Sequence, residues 1–264
     1  MRSTVAVTPE QIRQFRREGW IKINGLLEQE ALARARKALE AAVENDKPFA
    51  GEKSYRDAPG FRAMFANLRV PAARTRALQL GWDPRIAGIA RDLMGVAHVQ
   101  LFTEGALIKP PAHDGSRMTR WHQDLPLQPF DRKDALTVWI ALEDVPLEKG
   151  PLAFLPGSHR VGPLGRVDLQ FDEEADIMTR FTPEDAELLG KPVCQPLKAG
   201  DATIHSTLML HSAGRNTTDR PRHAWAITYM SADTRYTGEP SGTVDSGKHK
   251  FNERFNPAEF PMIV

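Results

Sequence analysis

The chain has 264 residues, 35 lysines and arginines against 34 acidic side chains, and one cysteine. That length supports a sizeable core, and the near-neutral charge, without a basic block interleaved with aromatics, argues against a nucleic-acid partner. A lone cysteine excludes an internal disulfide, no apolar run approaches the roughly 20 residues a membrane-crossing helix needs, and residues 1–10 hold no apolar leader, so a cytoplasmic protein is expected.

The first 95 residues read as mainly helical. Thr8-Pro9-Glu10-Gln11 is a capping box with proline at the first helical position, and Gly19 is placed to stop that helix. Ile21 and Ile23 bracket Lys22 as a short strand would. Leu32, Ala35, Leu39, Ala42 and Val43 recur at helical spacing, predicting an amphipathic helix over 28–45. Asp83-Pro84 opens another, with Ile86, Ile89, Ala90 and Leu93 on one face and Gly95 at its end.

From residue 96 the pattern changes to strands. Short runs rich in apolar and β-branched residues fall at 99–108, 135–142, 152–155, 202–210 and 223–230, punctuated by Pro110-Pro111, Pro146, Pro156-Gly157 and Gly200. Many short strands without long helices between them predict a closed double-sheet jelly roll over 96–235, with the helical part packed on one sheet. Residues 160–192, including the acidic Phe171-Asp172-Glu173-Glu174, read as an insertion that suits a lid, and 236–264 as a C-terminal tail. Cys194 is expected to be a small buried hydrophobe.

The chemistry gathers at Trp121-His122-Gln123-Asp124, the only His-X-Asp triplet in the chain. Residues two apart on a strand project from one face, so His122 and Asp124 can reach one ion. Two imidazoles and a carboxylate occupy one face of an octahedral Fe(II) and leave the other open, which leaves a third ligand to be found. His205 and His211 are the candidates, and only His211 has an arginine, Arg222, eleven residues downstream. If a strand follows Pro221, Arg222, Ala224, Ala226 and Thr228 share one face, leaving room beside a guanidinium that can grip a carboxylate with two parallel hydrogen bonds. His205 is expected to be a core histidine bonded to a backbone carbonyl.

The ordered landmarks Ile108-Lys109-Pro110-Pro111, Trp121-His122-Gln123-Asp124-Leu125, Trp139-Ile140-Ala141-Leu142-Glu143-Asp144, Gly150-Pro151-Leu152, Leu155-Pro156-Gly157-Ser158-His159, Gly200-Asp201 and His211-Ser212-Ala213-Gly214-Arg215-Asn216 precede Arg222. Together they resemble the phytanoyl-CoA dioxygenase family of Fe(II)- and 2-oxoglutarate-dependent oxygenases, and the likeness covers about residues 107–229. The resemblance implies one oxygenase domain over 1–264, with His122, Asp124 and His211 as iron ligands. It further implies Arg222 as anchor of the distal carboxylate of 2-oxoglutarate and Trp139 as an aromatic lining that pocket. His159 is expected to be structural. Where relatives often carry a serine two residues after the distal histidine, this chain has Ala213, beside Ser212. Asp124 fills the coordination position that a chloride occupies in related halogenases, so oxygenation with O2 is implied: a C–H bond of a small organic substrate is hydroxylated while 2-oxoglutarate becomes succinate and CO2. With no basic cluster suited to coenzyme A, a secondary metabolite is the expected substrate class. The rival readings are a cupin-like metal-dependent epimerase or isomerase, which usually carries a His-X-His pair absent here, and a non-catalytic ligand-binding jelly roll.

Overall fold

A computed structural model of the chain describes residues 6–44, 62–65, 80–167, 176–239, 241, 243–244 and 246–264. Helix α1 (Pro9–Glu18) begins as its capping box predicts: Thr8 Oγ1 accepts the Gln11 N–H at 3.2 Å, and the Gln11 side chain accepts the Thr8 N–H at 2.8 Å. Gly19 ends it with φ 84°, where a Cβ would fall 2.5 Å from the His159 ring, so both backbone and space demand glycine. The chain passes directly into β1 (Trp20–Ile23), then α2 (Gln29–Glu44), β2 (Arg62–Phe65) and α3 (Pro84–Met94), which Asp83 caps at its start and Gly95 at its end.

The strands that follow are β3 (Val99–Lys109), β4 (Thr119–His122), β5 (Ala135–Ala141) and β6 (Leu152–Phe154). After a one-turn helix α4 (Pro183–Ala186) come β7 (Val193–Cys194), β8 (Ala202–Ser206), β9 (His211–Ala213) and β10 (Arg222–Ser231). Among the described residues they form a six-stranded sheet in the order β1-β8-β5-β10-β3-β2 and a four-stranded sheet in the order β4-β9-β6-β7, every pairing antiparallel. This is the expected jelly roll with helices on one side.

Period-two alternation gives the large sheet two different faces. Trp225, Ile227 and Tyr229 of β10 pack with Leu136, Val138 and Ile140 of β5, and with Leu32, Leu39, Ile86, Ile89 and Leu93 of α2 and α3. The intervening Ala224 and Ala226, with Trp139 and Ala141 of β5, meet Leu152, Phe154 and Ala213 of the small sheet. The C-terminal tail packs on the large sheet: Tyr236, Phe255 and Phe260 pack on Phe102 and Phe130, and Val99 and Leu101 donate backbone hydrogen bonds to Val264 and Pro261.

Four expectations change. The predicted strand over 202–210 stops at Ser206, because the Ser206 hydroxyl and carbonyl take the Leu208 and Met209 N–H groups and turn the chain into the small sheet. The mainly helical N-terminal part also carries β2, whose backbone pairs with β3. Cys194 is exposed, because β7 is the edge strand of the small sheet and leaves one side uncovered. Asp124 is not on a strand, as described below. Within 160–192 the described part includes a 3-10 turn, Ile177–Arg180, and α4, while Phe171-Asp172-Glu173-Glu174 lies outside the described residues. No helix among the described residues is long and apolar enough to cross a membrane.

Candidate metal centre

His122 and His211 are direct cross-strand partners at the end of β4 and the start of β9, with ring centroids 4.1 Å apart. Asp124 joins them by a turn rather than by strand alternation. It has right-handed helical dihedrals, φ −73° and ψ −39°, and opens the 3-10 turn Leu125–Leu127, which the Leu125 N–H ties to the Thr207 carbonyl. The turn brings Asp124 Oδ1 to 3.6 Å from both His122 Nε2 and His211 Nε2. Among the described residues, His122, Asp124 and His211 are the group whose ligand atoms converge closely enough to hold an ion.

Both imidazoles are oriented in the same way. His122 Nδ1 bonds the Arg120 carbonyl at 2.8 Å and His211 Nδ1 bonds the Met209 carbonyl at 2.9 Å. A carbonyl only accepts, so each Nδ1 carries the proton and each Nε2 presents a lone pair toward Asp124 Oδ1. Burial and the adjacent His211 push the His122 imidazole down to about 4, and burial likewise brings His211 to about 4. Burial alone would raise the Asp124 carboxyl, but in acid, while His211 and His122 are still protonated, their charge, with His205 beside it, holds it well below the ordinary carboxylate range. Two neutral imidazoles and an ionised carboxylate therefore face one another near neutral pH. Three sets of lone pairs repel unless a cation lies between them, and no proton need leave for one to bind. The 3.6 Å separations are slightly wider than the roughly 3 Å expected of neighbouring ligands at about 2.1 Å from one ion. The donor set suits Fe(II).

Gln123, between the two candidate ligands in sequence, anchors the chain around them. Its amide donates to the Gly162 and Leu208 carbonyls at 2.9 and 2.7 Å and accepts the Leu164 N–H at 2.7 Å. Thr137 of β5 donates its hydroxyl to Asp124 Oδ2 at 2.9 Å. His205 has no carbonyl partner, contrary to expectation: it lies buried on the inner face of β8, 3.5 Å from Asp124 Oδ2, because its cross-strand neighbour is Thr137 rather than a turn that could offer a backbone oxygen. Residue identities hint at both groups, since Thr137 and Trp139, and Thr203 and His205, alternate with apolar neighbours.

Arg222 starts β10 on the same inner face, and it is almost wholly buried. Its Nη1 donates to the Gly150 carbonyl at 2.5 Å, its guanidinium carbon lies 5.1 Å from the Trp139 ring centroid, and its Nε has no partner. No carboxylate among the described residues pairs with it, and burial pulls it down to about 10. Lys109, its partner across β3, is also buried and donates to the Gly214, Arg117 and Ala213 carbonyls at 2.7, 3.0 and 3.2 Å and to Thr119 Oγ1 at 3.2 Å, while burial and Arg222 bring it to about 7. Glu143 offsets part of the cost of burying the guanidinium from a distance, and a carboxylate ligand in direct contact would relieve more of it. Gly150 makes the arrangement possible: at φ 67° a Cβ would stand 2.3 Å from the Gly214 carbonyl oxygen. Ala213 faces the inner apolar cluster, so Ser212, on the opposite face of β9, does not replace the serine common in relatives. His159 bonds the Arg16 carbonyl of α1 at 3.1 Å and is structural, as expected.

The family described as Phytanoyl-CoA dioxygenase (PhyH) matches residues 15–224. A probable alpha-ketoglutarate-dependent hypophosphite dioxygenase of Stutzerimonas stutzeri is 26% identical over 85% of this chain and 79% of its own length. Among solved structures, the non-heme alpha-ketoglutarate-dependent carbocyclase SnoK from nogalamycin biosynthesis is similar over 99% of this chain and 98% of its own, at 25% identity and a TM-score of 0.77. The epimerase SnoN, in complex with Fe3+, alpha-ketoglutarate and nogalamycin RO, is similar over 97% and 98%, at 27% identity and a TM-score of 0.75.

Proposed function

The chain belongs to the phytanoyl-CoA dioxygenase family, and from that premise we propose that His122, Asp124 and His211 hold Fe(II) and that Arg222 and Trp139 seat 2-oxoglutarate. One observation carries this reading: two oriented imidazole lone pairs and an ionised carboxylate converge on one point, on the same inner face as a buried guanidinium that no carboxylate among the described residues contacts directly. When bound, Fe(II) and 2-oxoglutarate supply O2-dependent oxidation of a substrate C–H bond, with release of succinate and CO2.

The chain's own residues do the rest. The Arg120 and Met209 carbonyls keep both imidazoles in the ligating tautomer. Arg222, stacked on Trp139, offers unused donor capacity to the distal carboxylate of the cosubstrate. Ala224 and Ala226 keep the adjoining inner face low, leaving room beside the guanidinium. The buried walls exclude water and restrict how a substrate C–H bond can approach.

The substrate is a small organic molecule of the secondary-metabolite class, a reading supported by the likeness to two nogalamycin-biosynthesis enzymes. Hydroxylation is the proposed outcome. Since relatives on this scaffold include a carbocyclase and an epimerase, the mass of the product decides the outcome. Candidate metabolites are incubated with protein, Fe(II), 2-oxoglutarate and O2, and succinate and product mass are recorded. Substrate-dependent succinate with a product heavier by one oxygen atom is expected, and His122→Ala abolishes both. A His122→Ala protein that still releases succinate at the wild-type rate contradicts the ligand assignment.

A further inference from the structure

Asp124 has two oxygens with separate surroundings. Oδ1 faces the two ligating nitrogens, 3.6 Å from each. Oδ2 turns the other way, accepts the Thr137 hydroxyl at 2.9 Å, and lies 3.5 Å from His205 Nε2. Thr137 and His205 are direct cross-strand partners on β5 and β8, so one rung of the large sheet presents two polar groups to this single oxygen.

His205 is out of place as a packing residue. It is 1% exposed, its Nδ1 has no hydrogen-bond partner, and the polar contact of its Nε2 is the 3.5 Å approach to Asp124 Oδ2. Its ring is flanked by Phe154 at 5.3 Å and by the candidate ligand His211 at 4.4 Å between centroids, which restrains its plane. An apolar side chain of the same shape would fill the position without burying two ring nitrogens. The polar group it stands nearest is Oδ2 of Asp124.

We propose that His205 is a positioning residue for the metal-binding carboxylate: with Nε2 protonated, it and the Thr137 hydroxyl hold Oδ2, so that Asp124 offers the metal Oδ1 alone. A carboxylate free to turn can place both oxygens on a cation, and at an open three-ligand site that would consume a position needed by cosubstrate or O2. The inference rests on the ligand assignment proposed above, and its role in binding can be read without turnover.

The test titrates Co(II) into the metal-free full chain, without 2-oxoglutarate, and follows the visible d–d absorption. His205→Phe keeps the ring and removes the donor, while His205→Gln keeps an N–H donor at similar reach and is a poor metal ligand. Supporting residues of this kind typically contribute about 10–100-fold to metal affinity. His205→Phe should therefore bind Co(II) at least 10-fold more weakly with an altered band, and His205→Gln should recover most of the affinity and the wild-type band. Thr137→Val, which removes the companion donor, should weaken binding in the same direction and less than additively with His205→Phe. Wild-type affinity and spectrum in His205→Phe would overturn the proposal, as would a His205→Gln protein as weak as His205→Phe. If His205→Phe lacks the cooperative thermal transition of the wild type, Thr137→Val decides, and unchanged Co(II) binding there overturns the proposal. Equal Co(II) binding by the wild type and His122→Ala would instead remove the ligand assignment itself.

Discussion

On the helix-covered face of the large sheet, the Trp225 indole donates to Glu104 at 3.0 Å and the Tyr229 hydroxyl donates to the Gly81 carbonyl at 2.8 Å. On the opposite face of β5, β8 and β10, Trp139 Nε1, Thr203 Oγ1, His205 Nδ1 and Arg222 Nε have no partner. The polar groups of β10 on the helix-covered side are thus satisfied, whereas the inner side mixes bonded groups such as Thr137 with orphans. Each buried orphan costs about 1–3 kcal/mol, so the inner face is maintained at the expense of stability that the outer core supplies. The proposed site lies on the face that carries these orphans.

Breaking the outer face should have the largest effect. Trp225→Ala removes a wholly buried ring from the helix-side core and is expected to lower unfolding stability by about 3–5 kcal/mol. Denaturant titration should show this loss, while the affinity of the folded protein for 2-oxoglutarate stays unchanged. A variant that kept its stability and lost cosubstrate affinity would reverse the assignment of the two faces.

Glu104 sharpens the comparison through pH. Burial raises its carboxyl to about 7, although Gly81 and Trp225 donate to it. The unfolded chain releases this proton near 4.5 and the folded chain near 7, so between those values the unfolded state binds fewer protons and stability falls as pH rises. Glu104→Gln does not ionise. It should gain about 3 kcal/mol on the wild type between pH 4.5 and 7.5, read as diverging denaturation midpoints. Parallel pH profiles would contradict the buried-carboxyl account.

The inner face should respond in the opposite sense. Arg222→Met removes a buried guanidinium that no carboxylate contacts directly among the described residues, and is expected to leave the metal-free protein as stable as the wild type or more so. It should raise the 2-oxoglutarate concentration for half-saturation about 10–100-fold, the worth of a hydrogen bond to a charged group. Calorimetric titration reads the affinity. A destabilised variant with unchanged cosubstrate binding would make Arg222 a structural residue.

Much of this organisation was legible in the residues themselves. The Thr8 capping box, the Asp83-Pro84 start and the two faces of β10 follow from local chemistry and period alone, and the structure keeps each. What local patterns could not reveal depends on contacts distant in sequence. Asp124 reaches the histidines because Leu125 bonds Thr207, and that turn breaks the strand alternation that would otherwise place it. The split between β8 and β9 is set by Ser206 bonding forward to Leu208 and Met209 within an apolar run that reads as one strand. His205 reads as an ordinary core histidine because its neighbour Thr137 lies 68 residues earlier in the chain, with β6 and β7 between them. Cys194 is exposed because β7 has no further strand beside it, a property of sheet order and not of the residue.

The central claim, that His122, Asp124 and His211 form one iron site beside a cosubstrate anchored by Arg222, is tested most directly by titrating anaerobic protein with Fe(II) in the presence of 2-oxoglutarate. A weak visible charge-transfer band that saturates at one Fe(II) per chain and vanishes in His211→Ala is the predicted result. A band of undiminished intensity in His211→Ala, or none in the wild type at saturating iron, would contradict it.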